Sequence, residues 1–241
     1  MNNRTETMAI DTALDVRQRI VIFGTGRGAN TARRYFECDT PHEVVGYVVD
    51  RQFHSAAEFN NKPVVSVDEA VDAFPPSKVV AFAPLGASRM NALRAEKYAL
   101  LKSMGYAFAS YVHSSNKIAG RCTVGENCFI LENQSVNFDV GIGNNVIIWS
   151  GCQIGDRSQI GDHVFMAAHV VINGDVEIRE NAYLGSNCNI SNGVRVAAQS
   201  FIGANALITK DTQERSVHVV EPTPPLDMDS LRFVRLIRDF M

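Results

Sequence analysis

The chain has 241 residues, 46% of them apolar and 20% charged, with a net charge of −3. That length holds one large or two modest domains, and the composition is that of a globular protein. The charge gives no general electrostatic case for nucleic acid or an anionic membrane as partner, and no stretch of eighteen apolar residues predicts a membrane span.

Residues 1–18 are polar and unpatterned. They lack the apolar run of a secretory signal, so a loose lead and a cytoplasmic location are expected. Arg19 to Phe23 then reads as a buried strand, entering Gly24-Thr25-Gly26-Arg27-Gly28-Ala29 and a helical pattern through Ala32, Tyr35 and Phe36. Val44 to Asp50 reads as a second strand ending in an acid, Pro63 to Val65 as a short strand, and Val67 to Phe74 as a short helix. Lys78 to Ala83 is a further strand. Ser88 to Gly105 is a long helix, with Ser88 as N-cap and Gly105 as C-terminal stop. Ala107 to Val112 reads as the last strand of this part. Strands alternating with helices predict a small parallel, doubly wound sheet over residues 19–112. The glycine turn presents backbone N–H groups and a helix N-terminus to which a phosphate fits, and Asp50 falls near the place of a ribose-binding acid. The spacing is not a clean GxGxxG, and a bare strand-to-helix turn fits as well. The short domain lacks room for a complete dinucleotide fold, which argues against an NAD-dependent oxidoreductase.

From Ile118 the pattern changes to a period of six. Sixteen aliphatic residues in a row occupy one register, ending at Val196, Ile202 and Ile208. The residue four places on is mostly small or β-branched, as at Cys122, Cys128, Val140, Cys152, Val164, Ala182 and Cys188. Glycine often follows the register residue directly. Asn127, Asn144, Asn145, Asn181, Asn187 and Asn205 suit tight turns, including those with positive φ. Such a period predicts a parallel β-helix over residues 113–214, each hexapeptide a short strand and a corner, with three to a coil. Four of the five cysteines fall on the small inward position. They lack ligand-like spacing, so free buried thiols and no metal site are expected. Residues 215–241 form a tail. Glu221 to Pro225 breaks the pattern, and Asp227 to Met241 reads as an amphipathic helix through Leu231, Val234, Ile237 and Phe240, packing on a prism face or a neighbouring subunit.

The hexapeptide register resembles the left-handed β-helix of the hexapeptide acyltransferases. That resemblance implies the left hand, a homotrimer, and acetyl-CoA along the groove between subunits. The order of an α/β domain and a hexapeptide prism is similar to the bacterial sugar O-acyltransferases of the sialic acid O-acetyltransferase type. That group includes N-acetyltransferases acting on nucleotide-linked amino sugars. The likeness is carried by IVIFGTGRG, EVVGYVVD, LRAEKYALLKSMGY, NNVIIWSGCQIGDRSQIGDHVF, AAHVVINGDVEI and FIGANALITKDT, and spans about residues 19 to 215. It implies that Gly24, Thr25, Gly26, Arg27 and Gly28, with Asp50, bind the nucleotide of the sugar substrate. It implies also that Gly174, Gly203 and Ala204 border one groove for CoA, with no metal required.

The family places a basic histidine, often followed by a second, where this chain has Asp156-Arg157. An ordinary aspartate is a weak base at neutral pH, and Arg157 beside it would lower its pKa further. His169 is the other candidate base, since similar family members carry a histidine there and imidazole titrates near neutrality. A corner histidine bonded across a subunit interface is the competing reading, and His163 ranks lower as a base. Phe138, one coil before Asp156, could stack on the acceptor sugar, although an exposed aromatic at a trimer interface is the commoner explanation, for it as for Trp149. The expected function is acetyl transfer to an amino or hydroxyl group of a nucleotide-linked sugar in surface-polysaccharide synthesis. The alternative is a non-catalytic relative that binds nucleotide sugar or assembles with a partner.

Overall fold

A computed structural model describes residues 17–238 of the chain. The first sixteen residues of the expected lead, and Phe240 of the expected last helix, lie outside them. The α/β part contains β1 (Arg19–Phe23), α1 (Arg27–Asp39), β2 (Glu43–Val49), β3 (Glu58–Phe59), β4 (Lys62–Ser66), α2 (Ala70–Ala73), β5 (Val80–Phe82) and α3 (Ala92–Ser103). Its sheet runs β3-β4-β2-β1-β5, parallel except for the short β3–β4 pair at one edge. Ile20, Val21 and Ile22 on β1 are fully buried, as a central parallel strand covered on both faces requires. The chain moves outward from β1 to β2 and β4, then returns to the other side of β1 for β5. That reversal opens a crevice beyond the ends of β1 and β5, where the glycine turn lies.

Two expectations change here. α3 starts at Ala92, and Ser88 does not cap it. Arg89, Met90 and Asn91 take positive φ of 52°, 52° and 66°, so the three-residue run before the helix is left-handed. The stop at Gly105 is as read, at φ 90°. Its N–H donates to Lys102 O and that of Tyr106 to Leu101 O, closing the helix in a Schellman pair. The stretch Ala107–Val112 is not one strand. Phe108 bridges to Ala81 in the α/β sheet, whereas Tyr111–Val112 forms β6 and pairs with Phe129–Ile130 of the prism. The first rung of the prism is thus laid before the register residue Ile118.

From β7 (Lys117–Ile118) to β22 (Leu207–Ile208), each two-residue strand pairs a register aliphatic with the residue before it. Every strand pairs in parallel with those eighteen residues away, giving a three-faced, left-handed β-helix. Face I runs from β6 to β23 (Val217–His218), face II from β7 to β22, and face III from Thr123–Val124 to Arg195–Val196. The register residues and the small residues four places on fill the interior in one continuous core. Polar intruders there are paired: Gln134 donates to Leu131 O and Trp149 O and accepts from Cys152 N–H, and Ser158 donates to Asn173 O. The four inward cysteines are free and buried, and burial pushes Cys128 and Cys188 up to about 12.

One corner position per hexapeptide carries positive φ without a break from Asn127 to Asn205. Asparagine, aspartate and glycine hold most of these places, but Arg157, His163, His169 and Gln199 hold others. Asn144, expected among them, is not one. Its side chain instead accepts the Glu126 N–H, and Asn145 takes the left-handed place.

Face I joins the two parts. Phe129, Leu131 and Ile147 share a core with Tyr35 and Phe36 of α1, Phe82 and Tyr111. The second tie is Arg94, fully buried with no carboxylate beside it. Its guanidinium donates to the carbonyls of Asn145, His163 and Val164 on the prism corner, to those of Leu85 and Gly86, and to Asn91 Oδ1. Burial brings it down to about 9, so it stays charged at neutral pH. Asn91 completes the tie by donating to the carbonyls of Asn181 and Ala182. After β23 the chain leaves the prism through exposed residues to α4 (Ser230–Ile237), capped by Asp229. No residue of α4 is buried, so within the chain it does not pack on a prism face as expected.

Candidate functional site

The glycine turn is built by close approach. Gly24 sits at φ 100° and donates its N–H to Val48 O at 2.7 Å, which ties the end of β1 to β2. Gly26 caps α1 without any side chain, leaving the first-turn N–H groups unfilled. A Cβ on Gly28 would run into the Pro84 carbonyl, so only glycine lets the loop after β5 close over the turn. Gly26, Arg27 and Gly28 are exposed, and Gly24 and Thr25 half-buried. Together they form an open cradle of N–H groups at the positive end of α1, the geometry that suits a phosphate.

Asp50 stands at the end of β2 as expected, but its carboxylate is occupied. Lys97 of α3 donates to Asp50 Oδ1 at 2.8 Å, with its ammonium 5.8 Å from the centre of the Phe23 ring. Burial works against the ammonium, but the hydrogen bond and charge of Asp50 outweigh it and raise its pKa. Sequence reading missed Lys97. It lies 47 residues from Asp50 on a helix whose pattern marks it only as a polar position, so no local signal pointed to it.

On the prism, the candidate residues divide between two edges that border face II. Asp156, Gly174 and Phe138 lie on the edge between faces II and III, each one coil from the next. His169, Gly203, Ala204 and Trp149 lie on the edge between faces I and II. Gly203 and Ala204 therefore do not continue the edge of Gly174, as expected; the strands of face II separate them. His163 occupies the third edge, against the α/β part.

Each candidate base has a distinct setting. Asp156 Oδ1 accepts the Phe138 N–H at 3.0 Å, so its carboxylate closes the turn one coil below. Arg157 does not turn to Asp156. It forks onto Asp175, with two hydrogen bonds of 2.7 Å. His163 Nδ1 sits 2.8 Å from Asn145 Nδ2, and Asn145 Oδ1 in turn accepts from Asn127 Nδ2. The amide donates, so His163 is neutral with its proton on Nε2 and offers no lone pair there. Burial, the largest cause, pushes its pKa down. His169 is exposed, and neither ring nitrogen has a hydrogen-bond partner among the described residues. Phe138, 58% exposed, has its ring over Gly120 one coil below. Among the described residues no cluster of three histidine, cysteine or acidic side chains could hold a metal, and no helix is long and apolar enough to cross a membrane.

Comparison with known proteins places this architecture. The bacterial transferase hexapeptide family (six repeats) matches residues 139–174. No curated protein sequence matches the chain. Among solved structures, the acetyltransferase domain of PglB from Neisseria gonorrhoeae in complex with acetyl coenzyme A is 14% identical, with a TM-score of 0.71 over 88% of this chain and 100% of that one. PerB from Caulobacter crescentus in complex with CoA and GDP-perosamine is 21% identical, with a TM-score of 0.69 over 83% and 91%. WeeI from Acinetobacter baumannii is 17% identical, with a TM-score of 0.67 over 83% and 94%. The repeat and the shared two-part architecture make the chain a hexapeptide-repeat protein with the fold of these bacterial acetyltransferases.

Proposed function

We propose that the chain is an acetyl-CoA-dependent acetyltransferase acting on an amino, or less readily a hydroxyl, group of a nucleotide-linked sugar in surface-polysaccharide synthesis. The observation that carries this reading is the pairing of an open glycine cradle with a hexapeptide prism, in a chain that shares its fold with a protein held with CoA and GDP-perosamine. In this reading the cradle at Gly24–Gly28 takes the diphosphate, and CoA lies along the prism of a trimer beside Ala204, on the edge that also carries His169. The acceptor nitrogen attacks the thioester carbonyl directly. It gives up its proton to a base and expels the thiolate of CoA, while backbone N–H groups of the prism hold the oxyanion. His169 is assigned the base, because its imidazole is the exposed one free at both nitrogens. Asp156 contributes by fixing the turn that presents Phe138.

A second reading, a non-catalytic nucleotide-sugar-binding relative, is favoured by the aspartate at the usual histidine place and by the commitment of its carboxylate to a backbone N–H. The test is thiol release from acetyl-CoA with UDP- and GDP-linked amino sugars as acceptors, alongside calorimetric titration with acetyl-CoA and desulfo-CoA. Acceptor-dependent thiol release supports the transferase. Nucleotide binding without CoA binding or turnover selects the second reading.

A further inference from the structure

The loop that closes over the glycine turn, residues 83–86, is held from the prism by one column of corner side chains. Asn127, Asn145 and His163 occupy the same left-handed corner in three successive coils. The Ala83 N–H donates to Asn127 Oδ1 at 2.8 Å, Asn127 Nδ2 to Asn145 Oδ1 at 2.7 Å, and Asn145 Nδ2 to His163 Nδ1 at 2.8 Å. A backbone N–H can only donate, so Ala83 fixes the direction of every bond in this chain. Both asparagines are buried, and neither amide has water to turn to. The chain stops at His163: one coil above, Asn181 Oδ1 is buried without a partner among the described residues. Arg94 ties the same loop to the same corner a second time. It donates to the carbonyls of Leu85 and Gly86 on one side and of His163 and Val164 on the other. Pro84, inside that loop, is the residue whose carbonyl lies against Gly28.

We propose that His163 is a positioning residue for the glycine cradle: its neutral Nδ1 completes a relay that sets residues 83–86 over the turn, and its protonation loosens them. This rests on the reading of the turn as the diphosphate site. An imidazolium carries N–H at both nitrogens, so Nδ1 would face the Asn145 amide donor to donor. The charged N–H claims an acceptor before a neutral one does, so Asn145 turns its amide to meet it. That sets Asn145 Nδ2 against Asn127 Nδ2. If Asn127 turns in the same way, its Nδ2 meets the Ala83 N–H, which cannot turn. No arrangement of the two amides satisfies both ends, and the break moves from His163 toward the loop. The groups around the ring set when this happens. Burial, the largest cause, and Arg94 push its pKa below 6.5, against the pull of Asp162 and Glu180. Tyr98 of α3 packs edge-on at 5.8 Å, its hydroxyl donating to Glu126, which is paired with Lys102. The relay is therefore complete above pH 6.5 and is lost as pH falls through the folded value, so affinity at the cradle falls with acid.

The test is calorimetric titration of the full chain with UDP-N-acetylglucosamine and GDP-mannose between pH 8 and pH 5, a range in which their diphosphates keep their charge. Two variants run beside it. His163→Asn keeps an acceptor for Asn145, as Asn145 is one for Asn127, but takes up no proton. His163→Leu has no acceptor. The expected result is an affinity that falls about fivefold with acid in the parent, holds across the range in His163→Asn, and is reduced at every pH in His163→Leu. Equal pH profiles in the parent and His163→Asn overturn the proposal. If neither nucleotide sugar binds the parent at any pH, the diphosphate reading falls, and amide exchange at Ala83 then judges the relay by itself. Corrected for its intrinsic pH dependence, that exchange is expected to speed up in acid in the parent and not in His163→Asn. The same exchange in both chains overturns the relay.

Discussion

The imidazole of His169 lies across Gly151, one coil below, so closely that a Cβ on Gly151 would stand 2.5 Å from His169 Nδ1. Phe138 covers Gly120 in the same way, also eighteen residues back. A ring at a corner thus finds its seat on a glycine one rung earlier, about 4.8 Å down the prism axis. Changing His169 to Ala is expected to lower acetyl transfer about 100-fold or more while leaving the melting temperature within a degree or two. Gly151→Ala is expected to lower it too, by displacing the ring, and also to destabilise, because Gly151 sits at φ 75°. Steady-state kinetics on both variants checks this; unchanged turnover in His169→Ala removes the base assignment.

Asp156 is expected to behave as a structural carboxylate. Asp156→Asn keeps an oxygen for the Phe138 N–H and leaves turnover within about threefold, below the effect of removing a general base. Asp156→Ala orphans that N–H and costs about 1 kcal/mol in urea unfolding. A hundredfold loss of turnover in Asp156→Asn, with stability kept, would move the proton-accepting role to this side of face II.

Arg94 is the pin between the two parts. Arg94→Met removes the donors from prism carbonyls and from the loop over the glycine turn at once, leaving oxygens buried without partners. The expected loss is about 3–5 kcal/mol, read from urea unfolding. If the variant is too unstable to purify, Asn91→Ala gives a smaller loss of the same kind, since it frees the Asn181 and Ala182 carbonyls.

Acid should weaken the fold in a defined window. Burial pushes the pKa of both His42 and His163 below the ordinary value of 6.5. A depressed folded pKa means that the unfolded chain takes up the proton first. This contribution is complete above pH 6.5 and is lost as pH falls from there through the folded values. The urea midpoint is expected to drop between pH 7 and pH 5. His163→Asn should flatten that drop, because asparagine suits the left-handed corner and still accepts from Asn145. An identical pH profile in the variant would show that His163 carries none of it.

The repeat was legible because the interior of the prism admits one kind of residue at one place in six. Ile118 to Ile208 reports that demand directly, and each register residue ends a strand. The first rung was hidden because Tyr111–Val112 follows a stretch that also bridges to the α/β sheet, and an apolar run carries no mark of which sheet it joins. The last rung, at Val217–His218, was hidden because it follows its partner Phe201–Ile202 by sixteen residues, not eighteen, and so leaves the register. Asparagines announced six of the fourteen left-handed corners, but His163 and His169 occupy the same backbone state without being residues that predict it. The ties of Lys97 to Asp50 and Arg94 to Asn145 join residues roughly fifty apart, and nothing in the local pattern of either helix position encodes its partner.

The unbroken run of left-handed corners from Asn127 to Asn205 also fixes how this chain can change length. Inserting six residues keeps every aliphatic inside, yet rotates all that follows by a third of a turn. Gly174 would leave the edge of Asp156 for another, and the stacked Phe165, Tyr183 and Phe201 rings would no longer continue face I. Inserting eighteen preserves both the core and the columns. Lineages of this protein should therefore gain or lose prism in whole coils, and a six-residue indel should be tolerated only above Ala204, beyond the last column that the site requires.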